Sequence, residues 1–562
     1  LFIVHNGSLD PLPYNLEEFQ ALPDDTFVQG RNAVRRSSQV MRHPLLAPAV
    51  VWLVAFVFYF LTRSASISWA VGVSDSPELS AAAYVFGVAH PPGYPLYMLL
   101  GWPVTHLPLG AEPATRLGVF SAFCGAWTAA LVAIGAREGV RVAGAGRVPA
   151  ALAGVVAGLG CAGLPLLWRQ ATAPETRTLA MALSCGVLVC LLCAWSRRDR
   201  RFLITAWLVW GMAMANHFLC LAALPALLLV SFCFAGMPRQ ARRGAPAPQP
   251  LWLACSLALL PGLSLYLLLP LRAMTHPPMN WGDPETPARF FWVVSTAMYR
   301  GDMGGSPAVL AGQLGDRLTT IWTSMPPPLL LAGLVGLAIL ALRCRLGALA
   351  LALTCLASIA QSGQYSDPAA PIYVLPCEAV LCGAAAYLVG TPLLWRRGRI
   401  RRVVACALSL AALAVATWQL KNTASLNAPG VDAAARSFAS HALVGLPRHA
   451  VVLATGDQDT FALWYGQVAL GLRPDVAVIS TDLLAWGWYR DNLEHHYPWL
   501  RWGGPWQSDA NIPSLAVRQT QRQQMLVKAT LGVFPLYFTA PSPGPGDPCN
   551  YELEGYLWQC VL

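Results

Sequence analysis

Charge is scarce in this chain: 12% of its 562 residues are charged, against 56% that are hydrophobic. With a mean hydropathy of +0.48, an ordinary soluble globule is excluded. Lysine is nearly missing. Lys421 and Lys528 are the only two, so arginine carries almost all of the basic charge behind the net +10. That bias is the one expected of a GC-rich bacterial genome. A nucleic-acid partner does not follow from the charge, because the arginines sit at the ends of apolar runs, where membrane topology needs them. There is no zinc-ligand spacing, Walker loop, nucleophile elbow or GxGxxG, which removes the common zinc and nucleotide chemistries. No internal repeat of the transporter kind is present. Residues 1–40 lack the apolar core of a signal peptide. The run Met41-Arg42-His43-Pro44 has the look of a natural start. Residues 1–44 are therefore expected to be a cytoplasmic tail, with 1–40 either disordered or outside the native protein.

What is present is a series of apolar runs of about 20 residues, the length that crosses a bilayer. They fall near 45–62, 116–136, 148–168, 178–195, 202–217, 218–235, 251–271, 325–342, 346–361, 371–390 and 403–420. Every second loop is rich in arginine: Arg137, Arg141 and Arg147; Arg197, Arg198, Arg200 and Arg201; Arg239, Arg242 and Arg243; Arg343 and Arg345; Arg396, Arg397, Arg399, Arg401 and Arg402. Positive charge in short loops marks the cytoplasmic side. The expected fold is a polytopic α-helical membrane protein with about 11 transmembrane helices over 45–420, its N-terminus inside. Loops 63–115 and 272–324 then lie outside. The apolar stretch 94–109 is short and broken by Pro95, Pro103 and Pro108. It reads as an interfacial helix, a depth that suits Tyr94, Tyr97 and Trp102.

After residue 420 the composition becomes that of a small extracytoplasmic α/β domain spanning 421–562. Residues 450–455 and 476–480 read as strands, 459–471 as the helix between them, and 542–548 as a Pro/Gly loop. Of 15 cysteines, 13 lie in or beside apolar runs and read as small core residues. Cys549 and Cys560 lie in the polar end, either as a disulfide or as two free thiols.

The chemistry-bearing residues collect on the non-cytoplasmic side. Ser76, Pro77 and Glu78 make a good helix start, with Ser76 as cap, and Glu78 gains from the helix dipole. That leaves Asp75 unexplained by capping. A carboxylate at a partly dry interface has a raised proton affinity, which suits a general base. Glu78 is a secondary candidate. His90, fixed before Pro91 and Pro92, either binds a phosphate, orients Asp75 or caps backbone carbonyls. Arg272 stands at the outer end of the seventh run, against the positive-inside pattern, where a guanidinium suits a lipid-linked phosphate or snorkels to headgroups. Asn280, Trp281 and Asp283 form either a sugar-binding edge or a simple turn. Glu175 is a further carboxylate on the same face, or a helix cap. Glu378 falls inside the tenth run, a functional hypothesis by default. Asp457-Gln458-Asp459 matches a metal–sugar DxD only weakly, and a strand-end turn explains it more cheaply.

The string Asp75-Ser76-Pro77-Glu78-Leu79, followed by Ala89-His90-Pro91-Pro92-Gly93-Tyr94-Pro95-Leu96-Tyr97, resembles the first external loop of a bacterial family of unknown function. That family is related to the vertebrate transmembrane O-mannosyltransferases that modify plexins and receptor kinases. Asn216-His217, the YLLLPLR run ending at Arg272, NWGDP from Asn280, Gly456-Asp457-Gln458-Asp459, Trp464-Tyr465 and Arg473-Pro474-Asp475-Val476 continue the likeness in order. It covers roughly residues 45–490. The resemblance implies the GT-C superfamily: polytopic enzymes that use a polyprenyl-phosphate sugar at the outer face, with an acidic residue of the first external loop as base. Asp75 takes that place. Better-known protein O-mannosyltransferases have an adjacent acidic pair, whereas here the spacing is Asp-x-x-Glu, which bears on Glu78 more than on Asp75. His217 joins the expected sugar- or acceptor-binding set.

The expectation is a glycosyltransferase of a bacterial inner membrane. It would move a sugar, with mannose as the expected unit, to an extracytoplasmic hydroxyl on protein or glycan, with inversion and without a metal or other cofactor. The alternatives are a transporter or flippase of lipid-linked sugars, which should place polar groups near the bilayer midplane, and a non-catalytic envelope scaffold.

Overall fold

The computed structural model describes residues 45–69, 75–108, 111–236, 250–393, 399–426, 433–506, 511–512, 514–541 and 549–561. The expected 1–44 tail, the arginines of the 239–243 loop, Arg396, Arg397 and the Pro/Gly run at 542–548 lie outside these residues. Contacts divide the chain into residues 1–46 and a second unit, 47–562, which holds every feature discussed here.

All eleven apolar runs fall on helices. The longest, Pro113–Val142, buries Ala122, Ala126, Ala129, Ala133 and Ala136 at three- and four-residue steps, the spacing of one helical face. At 1.5 Å per residue its 30 residues exceed the ~30 Å apolar thickness of a bilayer. Among the described residues, six helices are long and apolar enough to cross a membrane, or up to eight if each bent pair is one span. The chain is thus a polytopic helical membrane protein. One expected run is a bent pair, and another is joined at a bend to a helix from the expected external loop 272–324. The 148–168 run breaks between Arg147–Ala162 and Pro165–Ala171 at 69°, and Pro327–Arg343 is preceded by Pro307–Ser324 at 111°. In each case proline opens the second helix, where its missing N–H costs nothing. The 94–109 stretch holds the helix Pro95–Thr105, about 16 Å long and too short to cross.

Small residues set the closest helix approaches, as is usual between membrane helices. A methyl on Gly262 would overlap the backbone of Gly211 on the Arg200–Met214 helix. Gly336 lies equally close to the backbone at Ala384.

Beyond the last apolar helix, five strands form one sheet in the order β2-β1-β3-β5-β4. They are β1 Val451–Ala454, β2 Ala477–Ser480, β3 Leu536–Phe538, β4 Asn550–Glu554 and β5 Leu557–Val561. β1 pairs in parallel with β2 and β3, and β5 pairs antiparallel with β3 and β4. The helix Asp457–Val468 links β1 to β2, which is the expected β-α-β unit. Cys549 and Cys560 form a disulfide. One apolar core runs from Leu79, Val88 and Tyr97 through Trp281 to Phe461, Leu483 and Trp488. The sheet region is therefore packed onto the 75–97 and 279–281 segments, and this packing positions the site.

Candidate active site

The helix Asp75–Val85 starts with both carboxylates in its first turn. The expected cap, Ser76, lies inside the helix instead. It is buried, and its hydroxyl has no partner among the described residues. Carboxylates in the first turn gain from the helix N-terminal charge.

Asp75 does not stand alone. Its Oδ2 accepts from Arg177 Nη2 at 3.0 Å, and Arg177 Nη1 donates to Glu175 Oε2 at 2.8 Å. Arg177 is 6% exposed and Glu175 1%, so one buried guanidinium bridges two carboxylates from different segments. Planar, forked geometry is what lets arginine do this where lysine cannot. Burial raises the Glu175 carboxyl to about 7, with Arg177 opposing the rise and Asp75 adding to it. Glu175 Oε1 has no partner. The sequence marked Glu175 but missed Arg177. The signal was available, since Arg177 breaks the positive-inside pattern just as Arg272 does.

A second network lies one helical turn further on. Glu78 is fully buried. Its Oε1 accepts from the His90 backbone N–H and its Oε2 meets His90 Nδ1, both at 3.0 Å. His90 Nε2 lies 2.8 Å from the Tyr94 hydroxyl. Burial pulls the imidazole down, but the charges of Glu78 and Asp75 outweigh it and hold His90 at about 9. At neutral pH the ring is therefore a cation that donates both N–H groups, one to Glu78 and one to Tyr94. Tyr94 sits at φ 44°, a left-handed conformation that a bulky residue keeps only where its surroundings enforce it. Its ring stacks on His217 with centroids 5.7 Å apart. His217 Nδ1 accepts from Leu219 N–H, which leaves Nε2 to carry the ring proton. Burial, with Arg177 and His90 adding, keeps His217 well below its ordinary range, so it is the neutral neighbour of a charged His90.

The C-terminal region packs against these networks. The Asp457–Val468 helix packs on the Asp75–Val85 helix. The turn before it is held by Gly456 N–H donating to Asp482 Oδ2 at 3.0 Å, with Gly456 at φ 77°. Asp457 is reached by solvent but crowded by protein. That crowding raises its carboxyl to about 6, with Asp75 adding and His90 opposing. Asp457 therefore shares the field of Asp75 across 382 residues of chain, and no side chain caps the helix that it opens.

The remaining candidates lie elsewhere. Arg272 Nε donates to the Phe86 carbonyl at 2.6 Å and Nη2 to the Val85 carbonyl at 3.3 Å. It holds the C-terminal end of the helix whose first turn carries Asp75, about 15 Å away along the axis. Asn280 Nδ2 donates to Asp283 Oδ1 at 2.9 Å, Asp283 pairs with Arg289, and Arg289 also reaches Asp491 at 2.6 Å. These residues fasten the 280–289 turn to the Gly487–His496 helix. Trp281 is 4% exposed, wedged against His90, Phe461, Trp464 and Trp488. His276, Asp283 and Glu285 bring ligand atoms within 4.8 Å of one another, but Asp283 already gives both oxygens to Asn280 and Arg289. Glu378 is buried in its apolar helix; Ser324 donates to its Oε1, and Oε2 has no partner.

The family model for the N-terminal domain of the protein O-mannosyl-transferase TMEM260 matches residues 75–237. That of TMEM260-associated domain 2 matches residues 435–497. Protein O-mannosyl-transferase TMEM260 of Mus musculus is 26% identical over 463 residues, which cover 76% of this chain and 62% of that protein. Its counterpart in Dictyostelium discoideum is 34% identical over 73 residues, 13% of this chain and 8% of that one. The chain thus spans under two thirds of the length of either relative. Among solved structures, ArnT from Cupriavidus metallidurans bound to undecaprenyl phosphate superposes with a TM-score of 0.48 at 14% identity, over 92% of this chain and 97% of that one.

Proposed function

Because this chain is a relative of the TMEM260 family, we propose that it is a membrane glycosyltransferase, moving a sugar from a polyprenyl phosphate to an acceptor hydroxyl. Mannose is the sugar and protein Ser/Thr the acceptor that the family's name favours. The reaction face is the one opposite the arginine-rich loops, and the Cys549–Cys560 disulfide supports an oxidising compartment there. The observation that carries the reading is the Asp75–Arg177–Glu175 array. It sets a carboxylate, 15% exposed at its side chain, at the mouth of a buried charge network.

In this reading the acceptor hydroxyl gives its proton to Asp75 as its oxygen attacks the sugar's anomeric carbon. The bond from that carbon to the phosphate oxygen breaks, and the phosphate leaves with the electron pair. Attack opposite the leaving group inverts the centre. The phosphate leaves as an anion, so it needs positive charge more than a proton. Arg177 and the His90 cation supply that charge from fixed positions, with Tyr94 holding the His90 ring through its hydroxyl. Arg272, committed to two carbonyls, acts by fixing the helix that carries Asp75. Catalysis then needs no metal.

A transporter of lipid-linked sugars is the second reading, and it rests on the unpartnered Oε2 of Glu378. The test is Asp75→Asn in full-length protein, assayed for transfer from mannosyl phosphoryl polyprenol to a Ser/Thr peptide. Transfer is lost by two orders of magnitude or more, while the donor still binds. Wild-type transfer by the Asn variant would remove Asp75 as the base.

A further inference from the structure

The expected external loop 272–324 ends in a helix that lies outside the candidate site. Pro307–Ser324 leads through Met325 and Pro326 into the helix Pro327–Arg343. The second helix packs along Leu375–Leu393, and its 17 residues suffice to cross a bilayer. Its Leu331 and Leu334 are 63% and 52% exposed, a lipid-facing surface. Between the two helices the axis turns by 111°. Spans stand on average about 20° from the bilayer normal, so such a turn lays Pro307–Ser324 near the membrane plane.

Around that helix three sectors differ. One faces protein: Arg317 and Ile321 are 8% and 6% exposed, and Arg317 donates to the Ser362 and Tyr365 carbonyls at 3.3 and 3.5 Å. The next is apolar and uncovered: Leu314, Leu318 and Trp322 are 42%, 53% and 61% exposed. They recur at four-residue steps and so form one stripe. The third is polar: Asp316, Thr319 and Thr323 are exposed, and both threonine hydroxyls bond back to carbonyls of their own helix. At 3.6 residues per turn, the apolar stripe falls between the protein-facing sector and the polar one. That order suits a helix lying on its side at a boundary, with protein on one flank, hydrocarbon beneath and water above. A stable protein partner takes about 20–30 residues a side, which a stripe one side chain wide does not offer. A bilayer surface needs no such area. Continuity with the lipid-facing span favours it, and Trp322, just before the bend, belongs at headgroup depth.

We propose that Pro307–Ser324 docks on the bilayer leaflet at the end of the span opposite Arg343, with Leu314, Leu318 and Trp322 in the acyl boundary and Asp316, Thr319 and Thr323 in water. This surface is independent of the glycosyltransferase reading. It also ties the membrane to the candidate site. The Gly304 and Ser366 N–H groups bond across to the Gln364 and Asp302 carbonyls. Tyr365, whose carbonyl Arg317 holds, meets the Tyr373 ring, and Tyr373 meets His217. The docked helix thereby fixes the height of those rings against the lipid headgroups. The test places a dansyl amino acid at Leu318 or at Thr319 in the full chain, in phosphatidylcholine nanodiscs. Quenching by lipids brominated along their chains is compared with quenching by aqueous iodide. An apolar face sunk about 5–10 Å into the boundary gives the 318 probe about twofold or stronger quenching by brominated lipid and little by iodide, and the 319 probe the reverse. A probe at Leu314 repeats the result at Leu318, and unchanged melting of each labelled protein shows that the fold is kept. Equal quenching of 318 and 319 by brominated lipid overturns the proposal, as does iodide reaching 318. So does protection of 318 from both quenchers, which would assign the stripe to a second copy or to another protein.

Discussion

Replacing Glu78 with Gln keeps the shape of the His90 network and removes its charge. The amide oxygen still accepts from the His90 backbone N–H, which spans 3.0 Å to Glu78 Oε1. The imidazole loses the anion that does most to hold its proton affinity at about 9, against an ordinary 6.5. At ~1.4 kcal/mol per pH unit of proton affinity, that difference is worth roughly 3 kcal/mol. The group has a raised folded-state affinity. Its contribution is therefore fully present below pH 6.5 and fades as pH rises through about 9. Thermal melting of both proteins in nanodiscs at pH 6, 7.5 and 9.5 reads this directly. Wild type melts well above Glu78→Gln at pH 6, and the gap closes by pH 9.5. A gap that stays the same at every pH would refute the reasoning, because Glu78 would then act through packing alone. On the proposed function, transfer activity in wild type falls over the same alkaline window as the His90 cation is lost.

Arg177→Gln leaves Asp75 and Glu175 facing each other without a counter-charge, at a cost of about 3–5 kcal/mol; Glu175→Gln in the same chain restores part of it, and a melting series over the four variants measures the recovery. Gly262→Ala drives a methyl into the Gly211 backbone and lowers the melting temperature and the yield in membranes. Gly312→Ala, on the exposed Pro307–Ser324 helix with nothing within 4 Å, gains up to ~1 kcal/mol from helix propensity. Cys549 and Cys560 resist maleimide in intact cells until a reductant is added, and changing both to Ser costs about 2–4 kcal/mol; labelling without reduction would contradict the bond.

The apolar runs, the alternation of arginine between loops and the β-α-β unit were legible because each is local. Hydrophobic length sets a membrane helix, and alternation with turn residues sets a strand. Asp75 stood out for the same reason, as a carboxylate next to a span that capping did not explain, with Glu78 and His90 as its polar neighbours in sequence. Which polar groups meet is a different matter. Arg177 lies 102 residues from the carboxylate it clamps, and Asp457 comes from the far end of the chain. Trp281 read as a candidate platform for sugar and proved to be a buried wedge, because the Asp457–Val468 and Gly487–His496 helices close over it. Arg272 read as a phosphate ligand and is spent on two carbonyls. A single sequence thus determines which segments are apolar enough to enter a bilayer, since transfer free energy adds up locally along the chain. It leaves open the partner of each charge. That is decided by non-local packing, which brings segments hundreds of residues apart within 3 Å and gives each buried ion the one neighbour that makes its burial tolerable.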